Sequence, residues 1–93
     1  MTKRDLVVNI ARDTGLKQHD VLNVIQKTLD AITDELAQGG HVELRDFGVL
    51  EVCERKARVG RNPNKPEIPV PIPAHKVVRF KPGRLMKARV SQL

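Results

Sequence analysis

Apolar residues recur at helical spacing through the first forty positions and at alternate positions after them, so the chain divides into a helical part and a sheet part. Leu6, Val7, Ile10 and Ala11 share one face of a first helix. Thr2 with Asp5 forms a capping box that opens it, and Gly15 suits the left-handed residue that closes it. From Leu16 to Gln38 a longer helix is traced by Val21, Ile25, Thr28 or Leu29, Ile32 and Leu36, with Leu22 and Val24 widening the stripe. Gly39-Gly40 stops it. The connection around Gly15 is too short for a crossover, so the two helices are predicted to be antiparallel neighbours.

After Gly40 the period changes to two. Val42 and Leu44 face one way in a half-buried strand, Asp46-Phe47-Gly48 turns the chain, and Val49 to Val59 reads as a second strand. Leu50 and Val52 continue the apolar face, which then becomes Glu54, Lys56 and Arg58. The strand is therefore expected to leave the body past Cys53 and run on as an arm. Gly60-Arg61-Asn62-Pro63 marks the tip of a long hairpin, and Ile68 to Phe80 returns from it. Pro69, Pro71 and Pro73 all occupy odd positions, so their missing N–H groups fall on one side. If that side faces outward, the ribbon loses no bond, and the prolines blunt an edge that would otherwise recruit strands. Pro66, out of phase, goes with Pro63, Asn64 and Lys65 at the tip. His75 to Phe80 re-enters the body through Val77, Val78 and Phe80. Lys81-Pro82-Gly83 then begins a last helix with Pro82 at its first position. Leu85, Met86, Ala88 and Val90 form the apolar side of this helix, and its charged residues Arg84, Lys87 and Arg89 are all basic. Its N-terminus beside these cations reads as a phosphate site.

The predicted fold class is α+β: a helix pair, a three-stranded antiparallel sheet with a long β-arm, and a C-terminal helix. All 93 residues form a single domain, with residues 1–40 helical, 41–93 carrying the sheet and last helix, and the arm at about 55–74.

Composition sharpens this picture in two ways. A chain of 93 residues buries little apolar surface alone, so dimerisation is expected, with the only aromatics, Phe47 and Phe80, as core anchors. The net charge of +6 is also unevenly distributed: residues 1–52 carry six basic and nine acidic side chains, and residues 53–93 carry eleven basic and two acidic. The first half assembles the body, while the second faces a polyanion.

Other chemistries have little support. Cys53 is the single cysteine, which excludes an internal disulfide and reads as an inert strand residue rather than a redox thiol. His19, His41 and His75 lack metal-ligand spacing. With no phosphate-loop, nucleophile motif or carboxylate pair, neither an enzyme nor a cofactor, metal or small-molecule substrate is expected. No apolar leader or membrane-length run occurs, so no membrane partner is expected. The competing reading from another class is a protein-interaction module that presents Pro66 and Pro69 as a PxxP ligand.

Phe47-Gly48, Gly60-Arg61-Asn62-Pro63 and Phe80-Lys81-Pro82-Gly83, behind a helix pair of this length, resemble the bacterial HU and integration host factor proteins over nearly the whole chain. The resemblance implies an intertwined dimer, a homodimer or a heterodimer with a paralogue, that wraps and bends double-stranded DNA through the minor groove in the cytoplasm, at the bacterial nucleoid. On that likeness Pro63 wedges between base pairs beside Arg61, Arg55 and Arg58 follow the arm, and Lys81, Arg84 and Lys87 hold phosphates on the body. Lys3, Lys56, Asn62, Lys65 and Lys76 complete the DNA-binding set, and Phe47, Leu50 and Phe80 form the dimer core. An apolar wedge at a cationic tip is how minor-groove architectural proteins kink a duplex.

The chain departs from the family's pattern in several places. Lys65-Pro66 replaces the usual Thr-Gly, the stretch from Pro63 to Ala74 is slightly longer, Lys17 replaces a capping Ser or Thr, and Leu50 replaces a Phe. Glu43-Leu44-Arg45 resembles the E-x-R pattern of the integration host factor β-type subunit, and Val77-Val78 resembles its α-type partner. These similarities leave a site-preferring subunit as the alternative, although Glu43 and Arg45 also read as the solvated face of a strand.

Overall fold

A computed structural model of the chain describes residues 1–61, 64 and 67–93, with the side chain of Arg61 outside that description. Helix α1 (Lys3–Thr14) is opened by the capping box: the Thr2 hydroxyl accepts the Asp5 N–H at 3.2 Å, and the Asp5 carboxylate accepts the Thr2 N–H at 2.9 Å. Gly15, at φ 74°, closes it by donating its N–H to the Ala11 carbonyl. Helix α2 (Gln18–Ala37) starts two residues later than its apolar pattern suggests. Lys17 is its N-cap and offers no side-chain bond to the first turn. At the other end Gly39, at φ 83°, and Gly40 donate to the carbonyls of Leu36 and Glu35.

The two helices pack through Val7, Ala11 and Val21, the only buried apolar residues described, with Ile25 half-buried against them. Three small side chains are a thin core for one protomer. Much of the remaining apolar surface is open, including Leu44, Phe47, Val78, Phe80, Leu85 and Val90, each at least 40% exposed.

Strands β1 (Val42–Leu44), β2 (Gly48–Arg55) and β5 (His75–Pro82) form an antiparallel sheet in the order β1-β2-β5. The turn from β1 to β2 puts Asp46 at φ 66° and closes with the Phe47 N–H on the Leu44 carbonyl. Gly48 is required there by close approach. A Cβ at this position would lie 2.6 Å from both the Lys81 carbonyl oxygen and the Phe80 ring. Beyond the body, β3 (Arg58–Arg61) and β4 (Pro69–Ile72) pair as a separate two-stranded sheet.

The arm therefore departs from the single strand read over Val49 to Val59. Pairing holds from Gly48↔Pro82 through Arg55↔His75, stops at Lys56-Ala57 opposite Pro73-Ala74, and resumes with Arg58↔Ile72. Pro73 keeps the phase of Pro69 and Pro71, so its missing N–H removes no rung, but it belongs to the interruption and not to the strand; its carbonyl lies 3.1 Å from the His75 ring nitrogen Nδ1. Pro69 and Pro71 do sit within β4, opposite Arg61 and Val59, while Val70 and Ile72 face Gly60 and Arg58. In an antiparallel pair these positions alternate, so Val70 and Ile72 supply the ladder N–H groups and the two prolines take the intervening places.

Pro82 also lies elsewhere than its helical reading placed it. It ends β5 opposite Gly48, and α3 (Arg84–Val90) begins after Gly83, whose N–H donates to the Phe47 carbonyl at 2.8 Å. That bond keeps the chain on the sheet through Pro82, so Gly83 caps the helix instead. The radius of gyration is 18.9 Å, against roughly 12 Å for a compact domain of this length, because the arm extends away from the body.

Candidate nucleic-acid interface

The register of β2 and β5 sorts the sheet into two unlike faces. Leu50, Val52, Val78 and Phe80 lie on one, with Glu54 and Lys76 at its outer end. This face turns toward α2: Leu36 and Ala37 of that helix share a groove with Val52 and Val78. The other face carries Val49, Glu51, Cys53 and Arg55 on β2, opposite Lys81, Arg79, Val77 and His75 on β5. Three cations therefore line one surface directed away from the helices.

Arg55 and Lys81 were expected among the charged contacts, and the structure places both on this polar face. Arg79 was not expected, although the signal was present in the sequence. Counting by twos from His75 through Val77 reaches Arg79 and then Lys81, which assigns them to one side of a strand. Lys76 sits on the opposite face, opposite Glu54 in register. Lys81 is not free: its ammonium lies 3.0 Å from the Glu51 carboxylate.

Farther out, Lys56 occupies the interruption and Arg58 begins β3, both exposed and in phase with Glu54 and Lys76, while Ala57, Val59 and Arg61 continue the phase of Arg55. Gly60 follows with the Ile72 side chain over it, where an added Cβ would come 2.9 Å from the Ile72 Cδ1. Arg61 pairs through its backbone with Pro69. Asn62, Pro63, Lys65 and Pro66 lie outside the described residues.

On the body, Arg84 and Lys87 stand one turn apart on α3, both exposed. Lys3, at the start of α1, donates to the Gln26 side-chain oxygen at 2.6 Å and makes no ion pair among the described residues. The Phe47 and Phe80 rings meet at 5.7 Å and an interplanar angle of 55°, and Leu50 pairs opposite Phe80. The structure thus brings Phe47, Leu50 and Phe80 together. Within one protomer, however, Phe47 stays 50% exposed, beside a groove of about 530 Å³ that includes Leu85, Met86, Val90 and Leu93.

Among the described residues no group of His, Cys, Asp or Glu is placed to hold a metal ion, and no helix is long and apolar enough to cross a membrane.

Comparison with known proteins gives one consistent result. The profile of the family described as bacterial DNA-binding protein matches residues 1–91. The probable DNA-binding protein HU of Chlamydia trachomatis is 49% identical over 87 residues, covering 94% of this chain and 87% of the relative. The integration host factor subunit alpha of Maricaulis maris is 38% identical over 90 residues, covering 97% of this chain and 88% of the relative. Among solved structures, the Anabaena HU–DNA cocrystal structure matches with a TM-score of 0.90 at 34% identity, over 100% of both chains. HU from Thermotoga maritima matches with a TM-score of 0.69 at 29% identity, over 97% of this chain and 98% of that one. A helix pair carrying a three-stranded sheet, a basic two-stranded arm and these matches across its length make the chain a member of the bacterial DNA-binding protein family of HU and integration host factor.

Proposed function

We propose that the chain works as a homodimer that wraps and bends duplex DNA through the minor groove, organising DNA in the bacterial nucleoid without catalysing a reaction. The observation that carries this reading is the agreement with a chain from an HU–DNA cocrystal at a TM-score of 0.90 over its full length. A score that high over both whole chains requires arm and body to be similarly placed. The charge distribution supports the same reading, since Arg55, Arg79 and Lys81 share the face that continues into the arm.

In this mechanism Arg55, Lys56 and Arg58 neutralise backbone phosphates along the ribbon, and Lys3, Arg84 and Lys87 do so on the body. Arg61 enters the groove, and Pro63 inserts between base pairs. Unstacking one step costs roughly a few kcal/mol, which the additional backbone contact of a bent duplex offsets. Readout of individual bases has little part, because the minor groove presents a degenerate pattern. Binding therefore follows deformability of the duplex more than its sequence.

Förster transfer across an end-labelled duplex tests the wedge. Pro63→Ala is expected to reduce the bend while lowering affinity much less; an unchanged bend removes Pro63 from the mechanism.

A further inference from the structure

The polar face of the sheet holds a carboxylate where a polyanion is to dock. Glu51 lies in mid-strand on β2, directly opposite Arg79 and diagonal to Lys81. Its carboxylate takes Lys81 at 3.0 Å, with the two side chains 31% and 52% exposed. Glu43, on β1 opposite Val49, shares this face but makes no ion pair among the described residues. The surface that must meet phosphate thus contains one cation already engaged by an internal anion.

We propose that Glu51 is an affinity-setting residue, an internal competitor that phosphate must displace from Lys81 before that lysine contributes to binding. The proposal rests on the DNA-binding reading above and adds a residue outside the basic set. In the free protein Lys81 is neutralised in place. On the duplex its ammonium transfers from the Glu51 carboxylate to a phosphate, and the released carboxylate stays beside a negatively charged backbone and recruits a cation from solution. Both effects weaken binding and reduce the net number of ions released, so they also lower its salt dependence. A half-exposed pair of this kind is worth at most a factor of about five in an equilibrium constant.

Fluorescence anisotropy of a labelled duplex over a series of salt concentrations tests this with the full-length protein and four variants: Glu51→Gln, Glu43→Gln, Lys81→Gln and the Glu51→Gln/Lys81→Gln double variant. Glu51→Gln is expected to tighten binding up to about fivefold and to steepen the slope of log K against log salt by up to about one unit. Glu43→Gln, which changes only the general field, is expected to do less. In the Lys81→Gln background the gain from Glu51→Gln should shrink to that smaller value. The proposal is overturned if Glu51→Gln matches Glu43→Gln, or if its gain persists undiminished without Lys81. Absence of salt-dependent duplex binding by the unaltered protein would overturn the DNA-binding reading itself, and this proposal with it. That outcome is distinguishable because it appears before any variant is compared.

Discussion

Gly48 shows how one residue can fix the geometry of a surface. Its missing side chain lets the Lys81 carbonyl and the Phe80 ring approach to where a Cβ would sit at 2.6 Å from each. Because the carbonyl is backbone and the ring is held beside Phe47, neither can yield cheaply. Gly48→Ala is expected to cost about 1–3 kcal/mol through overpacking, measurable as a lower urea midpoint. An unchanged midpoint would mean that β2 and β5 shift apart freely. The Phe47-Gly48 pair was legible in the sequence as a turn. That the glycine was demanded by packing against residues more than thirty positions away was not, since no local pattern encodes a contact at that separation. Arg79 is a different case: strand parity alone assigns it to the face of Lys81, but it lies just ahead of Phe80-Lys81-Pro82-Gly83, outside the residues that carry the family resemblance.

Among the elements, the two helices of the pair differ in how they begin. Thr2 and Asp5 complete a capping box at α1, whereas Lys17 leaves the first turn of α2 without a side-chain acceptor. Yet Asp20 already stands three residues after Lys17, as Asp5 does after Thr2. Lys17 has the extended backbone that an N-cap needs, at φ −70° and ψ 142°. Lys17→Ser is therefore expected to complete a second box and to stabilise the protein by about 0.5–1 kcal/mol. A calorimetric melting temperature that stays the same or falls would contradict it. The capping pattern of α1 and the glycines that end both helices were readable because such signals are local. Strand ends were less so. Pro82 satisfies the local rule for a first helical residue, but the pairing with Gly48 and the Gly83–Phe47 bond override that rule.

For the whole molecule the balance of buried and open surface is decisive. Among the described residues one protomer buries only the apolar side chains of Val7, Ala11 and Val21 and leaves Phe47 and Phe80 at 50% and 40% exposure. An apolar face of that kind requires a partner surface, and a second copy of the same chain supplies a matching one by symmetry. Sedimentation at micromolar concentration is expected to give a dimer; a folded monomer would refute this assembly and the intertwined architecture with it. The need for dimerisation was visible in the chain's length and its scarcity of aromatics. Where the charge would gather became clear only from the register, which assigns Arg55, Arg79 and Lys81 to one face and Lys76 to the other.

The interruption at Lys56-Ala57 and Pro73-Ala74 has a mechanical consequence for the complex. A duplex resists bending over a persistence length of about 150 base pairs, and the eight-residue ladder of β2 and β5 resists shear. Two stiff bodies joined through two short unpaired segments place their mismatch in those segments. On the binding mode proposed above, a change in the arm's angle to suit a shallow or a sharp curve in the duplex is expected to fall on these four residues, which carry no rung of either sheet.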